Sequence, residues 1–237
     1  MDNSKIAHHI SENFNKELED IRNKVLAMGG LVEEQIEQAV QALTNNDMEL
    51  AELVIKQDND VDFLEMEIDA ECTQIIALRQ PAAFDLRLLL TVLRIINELE
   101  RVGDLAERIA KMAIYLNSKE GRTDQYYELQ HMAGLVQDML NGALDNFARM
   151  SVEGITEITG RDEQVDYEYA SIIRQLITQM MEDPRNITRS MDMLWTVRAL
   201  ERIGDHARYI CEHLIYMVKG EDVRHLTQAE LEEKMKS

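Results

Sequence analysis

Glu100 and Asp104 stand four residues apart, and so do Glu201 and Asp205, Asp58 and Asp62, and Asp162 and Asp166. On a helix, residues at i and i+4 share a face with Cβ atoms about 5–6 Å apart, so each pair sets two negative charges side by side. One such pair is ordinary in an acidic helical protein. Four of them, at matching places in two halves of one chain, ask for a cation. Carboxylate oxygens suit hard ions such as Mg²⁺, Mn²⁺ or Ca²⁺, and also iron. Without a cation the pairs repel and raise one another's pKa. The alternative is a metal-free helical scaffold with solvated acids, in which Arg101 and Arg202, directly after the two glutamates, serve as salt-bridge partners.

Other chemistry is poorly supplied. No GxSxG, HExxH, P-loop or Rossmann fingerprint occurs, and nothing reads as a nucleophile with a base and an orienting group. A carboxylate-bridged redox enzyme on a helical bundle is the competing enzymatic reading, but such sites use two Glu-x-x-His motifs plus two further glutamates. Only Glu128 and His131 have that spacing, away from the paired acids. His206 follows Asp205 and is a candidate auxiliary ligand, although Leu105 stands at its place in the other half. Arg87, Arg94, Arg101 and Arg108 recur every seven residues and line one narrow helix face, as counterions or as a docking strip. The chain is therefore expected to carry no catalytic step.

The elements that must position these acids are helices. Aromatics are few, the only prolines are Pro81 and Pro184, and Leu, Ile, Met, Ala, Glu and Gln dominate. Six segments have helical periodicity: roughly Ser11 to Thr44, Asp47 to Arg79, Pro81 to Leu116, Tyr126 to Met150, Ser151 to Met181, and Pro184 to Lys219. Short turns at TNND, QP and DP join long helices, which should then lie antiparallel. The segments also repeat. MGGLV at Met28 returns as MAGLV at Met132, and DNDVD at Asp58 as DEQVD at Asp162, both 104 residues later. LERVGD returns as LERIGD after 101 residues, and ten of the 24 positions from Leu93 to Leu116 are identical in the second copy. The chain thus reads as all-α, with two tandem, pseudo-symmetric, antiparallel three-helix bundles made of six long helices. Residues 1–120 form the first bundle and 121–237 the second, with SKEGR at Ser118 as the junction and a short tail after Lys219. The glycine repeated inside ERxGD costs each helix about 1 kcal/mol relative to alanine, so close packing beside the acids is its expected reason.

Composition limits the partners. With 25 basic against 45 acidic residues the formal charge is −20, which disfavours direct binding to nucleic acid. Cys72 and Cys211 lack metal spacing and read as buried thiols of a reducing, cytoplasmic compartment. The polar N-terminus lacks a signal-peptide core, and the most apolar run, from Phe84, is broken by Asp85, Arg87 and Arg94.

At the paired LERVGD and LERIGD blocks, with RQPAAFDLR before the first and MMEDPRNI before the second, the chain resembles the PhoU family. The resemblance runs from about Phe14 to Lys219 and extends to KGEDVRH. It implies two similar three-helix bundles with metal held by E/D-xxx-D motifs, which fall here on Glu100 with Asp104, Glu201 with Asp205, Asp58 with Asp62, and Asp162 with Asp166. The metal is left open among Mg, Mn, Fe and Zn, as divalent ions or a multinuclear cluster. The resemblance further implies a cytoplasmic homodimer that negatively regulates phosphate uptake and the phosphate-starvation (Pho) response. Its implied partners are the ATPase subunit of the Pst phosphate transporter and the phosphate-sensing histidine kinase. Contact with the membrane would be peripheral, through those proteins.

Overall fold

Two residues build the turn at TNND. Asn46 adopts a left-handed φ of 55°, and the Asp47 carboxylate accepts a hydrogen bond from the Leu50 N–H at 3.0 Å, capping the next helix. Gln80, with φ 48°, closes that helix in the left-handed region, with its N–H on the Ile76 carbonyl. In the computed structural model, which describes residues 3–117 and 126–236, the elements are α1 (Asn3–Asn45), α2 (Met48–Arg79), α3 (Ala83–Asn117), α4 (Tyr126–Arg149), α5 (Ile155–Gly160), α6 (Asp162–Glu182), a 3-10 turn (Pro184–Asn186), α7 (Ile187–Lys219) and α8 (Gln228–Lys236). The junction SKEGR lies outside the described residues.

Six of these helices are the long ones expected, in two antiparallel sets. Helices α1, α2 and α3 pack on one another, and α4, α6 and α7 form the second set. The equivalent helices α3 and α7 then pack together, as do α1 and α4, so the two halves meet through matching elements. One apolar core results: Val25, Leu99, Val136, Ile172 and Ile203, drawn from five helices of both halves, have no exposed surface. Gly29 marks the α1–α4 approach, because a Cβ there would lie 2.7 Å from the Leu144 methyl carbons. Cys72 and Cys211 are buried free thiols, and burial raises the Cys72 pKa to about 12.

Three details differ from the expectation. Pro81 precedes α3, which starts at Ala83, instead of opening its first turn. The segment read as one helix from Ser151 is broken at Arg161 into α5 and α6. The first half carries Lys56 where Gly160 ends α5, so the same stretch runs on there as the unbroken α2. Gly160 combines the loss of helix propensity with a tertiary contact: Gln228 at the start of α8 donates to the Thr156 carbonyl at 2.9 Å. The tail is accordingly docked, with Val223 and Leu231 buried.

A shared core makes a local change global. Leu99→Ala, at a site with 0% exposure, is expected to cost about 2–5 kcal/mol. Because Trp195, the only tryptophan, sits on α7 in the other half, its fluorescence should follow the lowered urea midpoint together with helicity. An unchanged Trp195 transition would show that the halves unfold independently.

Candidate metal centre

The first-half acids come from two helices. Asp58 and Asp62 stand on α2, and Glu100 and Asp104 on α3, with Gly103 at the crossing. Asp58 Oδ1 lies 3.0 Å from where a Cβ on Gly103 would be, and the Gln35 amide oxygen of α1 lies 3.2 Å from it. Gly103 therefore leaves room for a buried carboxylate and a buried amide. Gln35 Nε2 donates to Asp58 Oδ1 at 3.3 Å, but Gln35 Oε1 has no hydrogen-bond partner among the described residues although the residue is only 1% exposed.

Carboxylate oxygens of Asp58, Asp104 and Glu107 lie within 4.8 Å of one another, the only such group of three among the described residues. Glu107 was not among the residues expected from the sequence. Its available signal was its position three residues after Asp104, on the same helical face. Gln35, on a helix distant in sequence, had no local signal. Among the described residues no basic side chain makes an ion pair with Asp58 or Asp104, while Lys111 holds Glu107 at 2.5 Å. Burial, with Asp62, Glu107 and Asp104 nearby and against the Gln35 hydrogen bond, raises the Asp58 pKa to about 6. Burial and then the charges of Asp104, Asp62 and Glu65 also raise Glu100. Asp62 and Glu100 thus sit in the same negative field without belonging to the tightest group.

In the second half, Asp162 and Asp166 of α6 face Glu201 and Asp205 of α7. Burial raises Asp162 to about 6 against the charge of Arg208, and burial together with the nearby charges of Asp205 and Asp166 raises Glu201. Here basic residues intervene. Arg208 Nε is 3.0 Å from Asp162 Oδ2, Arg202 is 3.4 Å from Asp205, and Arg198 is 2.7 Å from Glu201. A Cβ on Gly204 would make ordinary contacts, at 3.4 Å to Val136 and 3.5 Å to Val165. The repeated glycine is therefore a close-packing requirement in the first half alone.

His206 does not join the acids of its own bundle. Its Nδ1 lies 2.6 Å from Glu98 Oε2 across the α3–α7 seam, and His213 Nε2 is 4.0 Å from the other oxygen. Burial opposes ionisation of Glu98, but its contacts with His206 and His213 and the charges of His206 and Arg101 bring it down to about 2. The arginine stripe serves the same seam. Arg87 Nε donates to the Met217 carbonyl at 3.3 Å, Arg94 lies 5.1 Å from the Tyr216 ring centre, and Arg101 pairs with Glu98 at 3.3 Å.

Two bundles joined through equivalent helices, with carboxylates gathered at each α2–α3-type crossing, define a tandem three-helix-bundle protein. Among the described residues, its one assembled constellation consists of oxygen donors for a hard cation, with an orphaned buried amide oxygen beside them. The PhoU domain model matches residues 25–113 and again 129–214, one copy per half. The chain is 46% identical to the phosphate-specific transport system accessory protein PhoU homolog of Pseudomonas aeruginosa, over 98% of this chain and 96% of that protein. The Escherichia coli accessory protein PhoU is 43% identical over 98% and 96%. The crystal structure of PhoU from Pseudomonas aeruginosa superposes with a TM-score of 0.85, 46% identity, and coverage of 88% of this chain and 100% of that one. The crystal structure of the phosphate transport system regulatory protein PhoU from Streptococcus pneumoniae superposes with a TM-score of 0.82 and 32% identity, covering 89% of this chain and 99% of that one. The chain belongs to the PhoU family.

Raised carboxylate pKa values have a definite sign. A carboxyl group whose pKa rises from 3.8 to about 6 on folding binds protons more tightly when folded, so its ionisation lowers stability as pH climbs through that window. For Asp58 the full penalty is on the order of 3 kcal/mol. In chelator, Asp58→Asn should be more stable than the parent at pH 7.5, with the advantage shrinking toward pH 5. A less stable variant at pH 7.5 would mean that the ionised group has a stabilising partner. Gly103→Ala should push against Asp58 and Gln35 and lower stability. Gly204→Ala should be neutral or gain up to about 1 kcal/mol in thermal unfolding.

Proposed function

We propose that this protein is a cation-stabilised, non-enzymatic adaptor in the control of phosphate uptake. The observation that carries the metal part is the convergence of Asp58, Asp104 and Glu107 beside the unpartnered Gln35 Oε1. The all-oxygen donor set favours Mg²⁺, Mn²⁺ or iron over zinc, which prefers nitrogen and sulfur ligands. A bound divalent ion would supply the positive charge that these carboxylates lack. Asp58, held by Gln35, presents an oxygen from α2, and Asp104 and Glu107 present theirs from α3, so the residues tie the two helices together. Metal at Glu201, Asp205, Asp162 and Asp166 belongs to the family-based reading, as do Asp62 and Glu100.

The regulatory part rests on family membership. Relatives over nearly the full length carry the name of a phosphate-specific transport system accessory protein. On that basis the protein acts in the cytoplasm as a homodimer and negative regulator of the Pho response. It would sit between the Pst transporter's ATPase subunit and the phosphate-sensing histidine kinase. Among the described residues no helix is long and apolar enough to cross a membrane, which agrees with association through protein contacts. The net charge of −20 agrees with action through proteins and not through direct binding to promoters. The fixed spacing of partner surfaces on a bundle whose helices are tied by charge is the mechanism we infer.

Protein purified without chelator should carry divalent metal, and a variant with Glu100, Asp104, Glu201 and Asp205 all changed to alanine should carry none. Mn²⁺ at about 100 times its Kd should add roughly 2.7 kcal/mol to the stability of the parent only. In phosphate-replete cells the variant should leave a Pho-regulated reporter switched on. Thermal unfolding of the parent that ignores both Mn²⁺ and chelator would overturn the metal part.

A further inference from the structure

The ERxGD repeat places Glu107 opposite Arg208, and Lys111 opposite Glu212, each 101 residues apart. Both are i, i+4 ion pairs, at 2.5 Å for Lys111 with Glu107 and 3.0 Å for Arg208 with Glu212. The pair is conserved in geometry and inverted in charge. The residue that faces the carboxylates is thus an acid in the first half and a guanidinium in the second. Arg208 Nε lies 3.0 Å from Asp162 Oδ2 and its terminal nitrogen 3.9 Å from Asp205 Oδ1, an ion-pair contact with the Nε–H out of line for a hydrogen bond.

A second position changes in the same sense. Gln35, whose amide nitrogen donates to Asp58 and whose free amide oxygen lies beside Gly103, corresponds after 104 residues to Met139, which is fully buried. The first half therefore offers two further oxygen donors beside its paired aspartates. At the same two places the second half offers a thioether and a permanent cation. A guanidinium stays protonated in proteins, and a thioether is a poor ligand for hard ions. A divalent ion next to Arg208 would face like charge at close range.

Resting on the cation reading above, we propose that only the first-half cluster takes up a divalent cation, and that Arg208 occupies the equivalent place in the second half. The protein then has one exchangeable site, built on Asp58, Asp104, Glu107 and Gln35, and one internally neutralised site. Cation supply acts on one bundle while the other stays charge-balanced. The inequality rests chiefly on two positions, Glu107 against Arg208 and Gln35 against Met139.

Mn²⁺ titration of the full chain by calorimetry, with uptake checked by paramagnetic resonance, tests this half by half. Asp58→Asn with Asp104→Asn should abolish uptake. Asp162→Asn with Asp205→Asn should change affinity by less than about tenfold, the lower end of what losing even an outer-shell partner costs. Arg208→Gln should add uptake in the second half, removable by Asp162→Asn, and Glu107→Gln should weaken the first. Circular dichroism confirms the fold of each variant, and Arg208→Lys, which keeps the charge, should add nothing. Equal loss of Mn²⁺ from the two double variants, or no gain with folded Arg208→Gln, would overturn the asymmetry while leaving the cation reading in place. A parent chain that binds no Mn²⁺ at all would overturn both.

Discussion

Helices α3 and α7 must each pack on two sides at once. Each belongs to its own bundle and also forms the seam between bundles, so little of either surface is left for water. Polar groups caught on such a seam need partners inside the protein, because an unpaired buried charge is far more costly than a paired one. Glu98 is the clearest case, with His206 and His213 from the opposite helix at its two oxygens. That contact does not have to add net stability, since desolvation of a buried pair can cancel its attraction. It does select one register of α3 against α7, because sliding either helix would leave a carboxylate stranded. Arg87 and Arg94 add to the same registration by spanning to Met217 and Tyr216.

The other faces of these helices carry the opposite problem. Acids from α2 and α3, and from α6 and α7, meet at crossings in a chain already at −20. A carboxylate in that setting can be neutralised by a proton, by a guanidinium or by a metal ion, and each answer has a different consequence. A proton makes the bundle sensitive to pH near 6, as the raised Asp58 and Asp162 values reflect. A guanidinium gives a permanent bond with no sensitivity to supply. A metal ion couples helix packing to the cell's cation content. The two halves share a backbone plan and differ in which answer their side chains make available.

The class of fold was legible in the sequence because its causes are local. Helical periodicity, the TNND turn and the duplicated blocks each depend on residues a few positions apart, and they led to the six long helices. The four acid pairs were legible for the same reason, since i, i+4 spacing alone puts both members on one face. The break at Arg161 was not legible. A glycine at position 160 weakens a helix without ending it, and the docking of α8 is a contact with residues more than sixty positions away.

The membership of the site was decided only by tertiary structure. Whether Glu107 or Glu100 joins Asp58 depends on the angle at which α2 crosses α3, which no spacing within either helix specifies. Gln35 enters from a third helix through a gap that Gly103 leaves open, while the identical glycine in the second half has only ordinary contact distances to Val136, Val165 and Asp162. His206, next to a candidate ligand in sequence, points across the seam because successive residues on a helix face different neighbours. The sequence by itself determined that acids would crowd at two equivalent crossings. Three-dimensional packing determined what stands beside them, because Gln35 reaches Asp58 from α1 and Arg208 reaches Asp162 from α7, contacts that no spacing within one helix specifies.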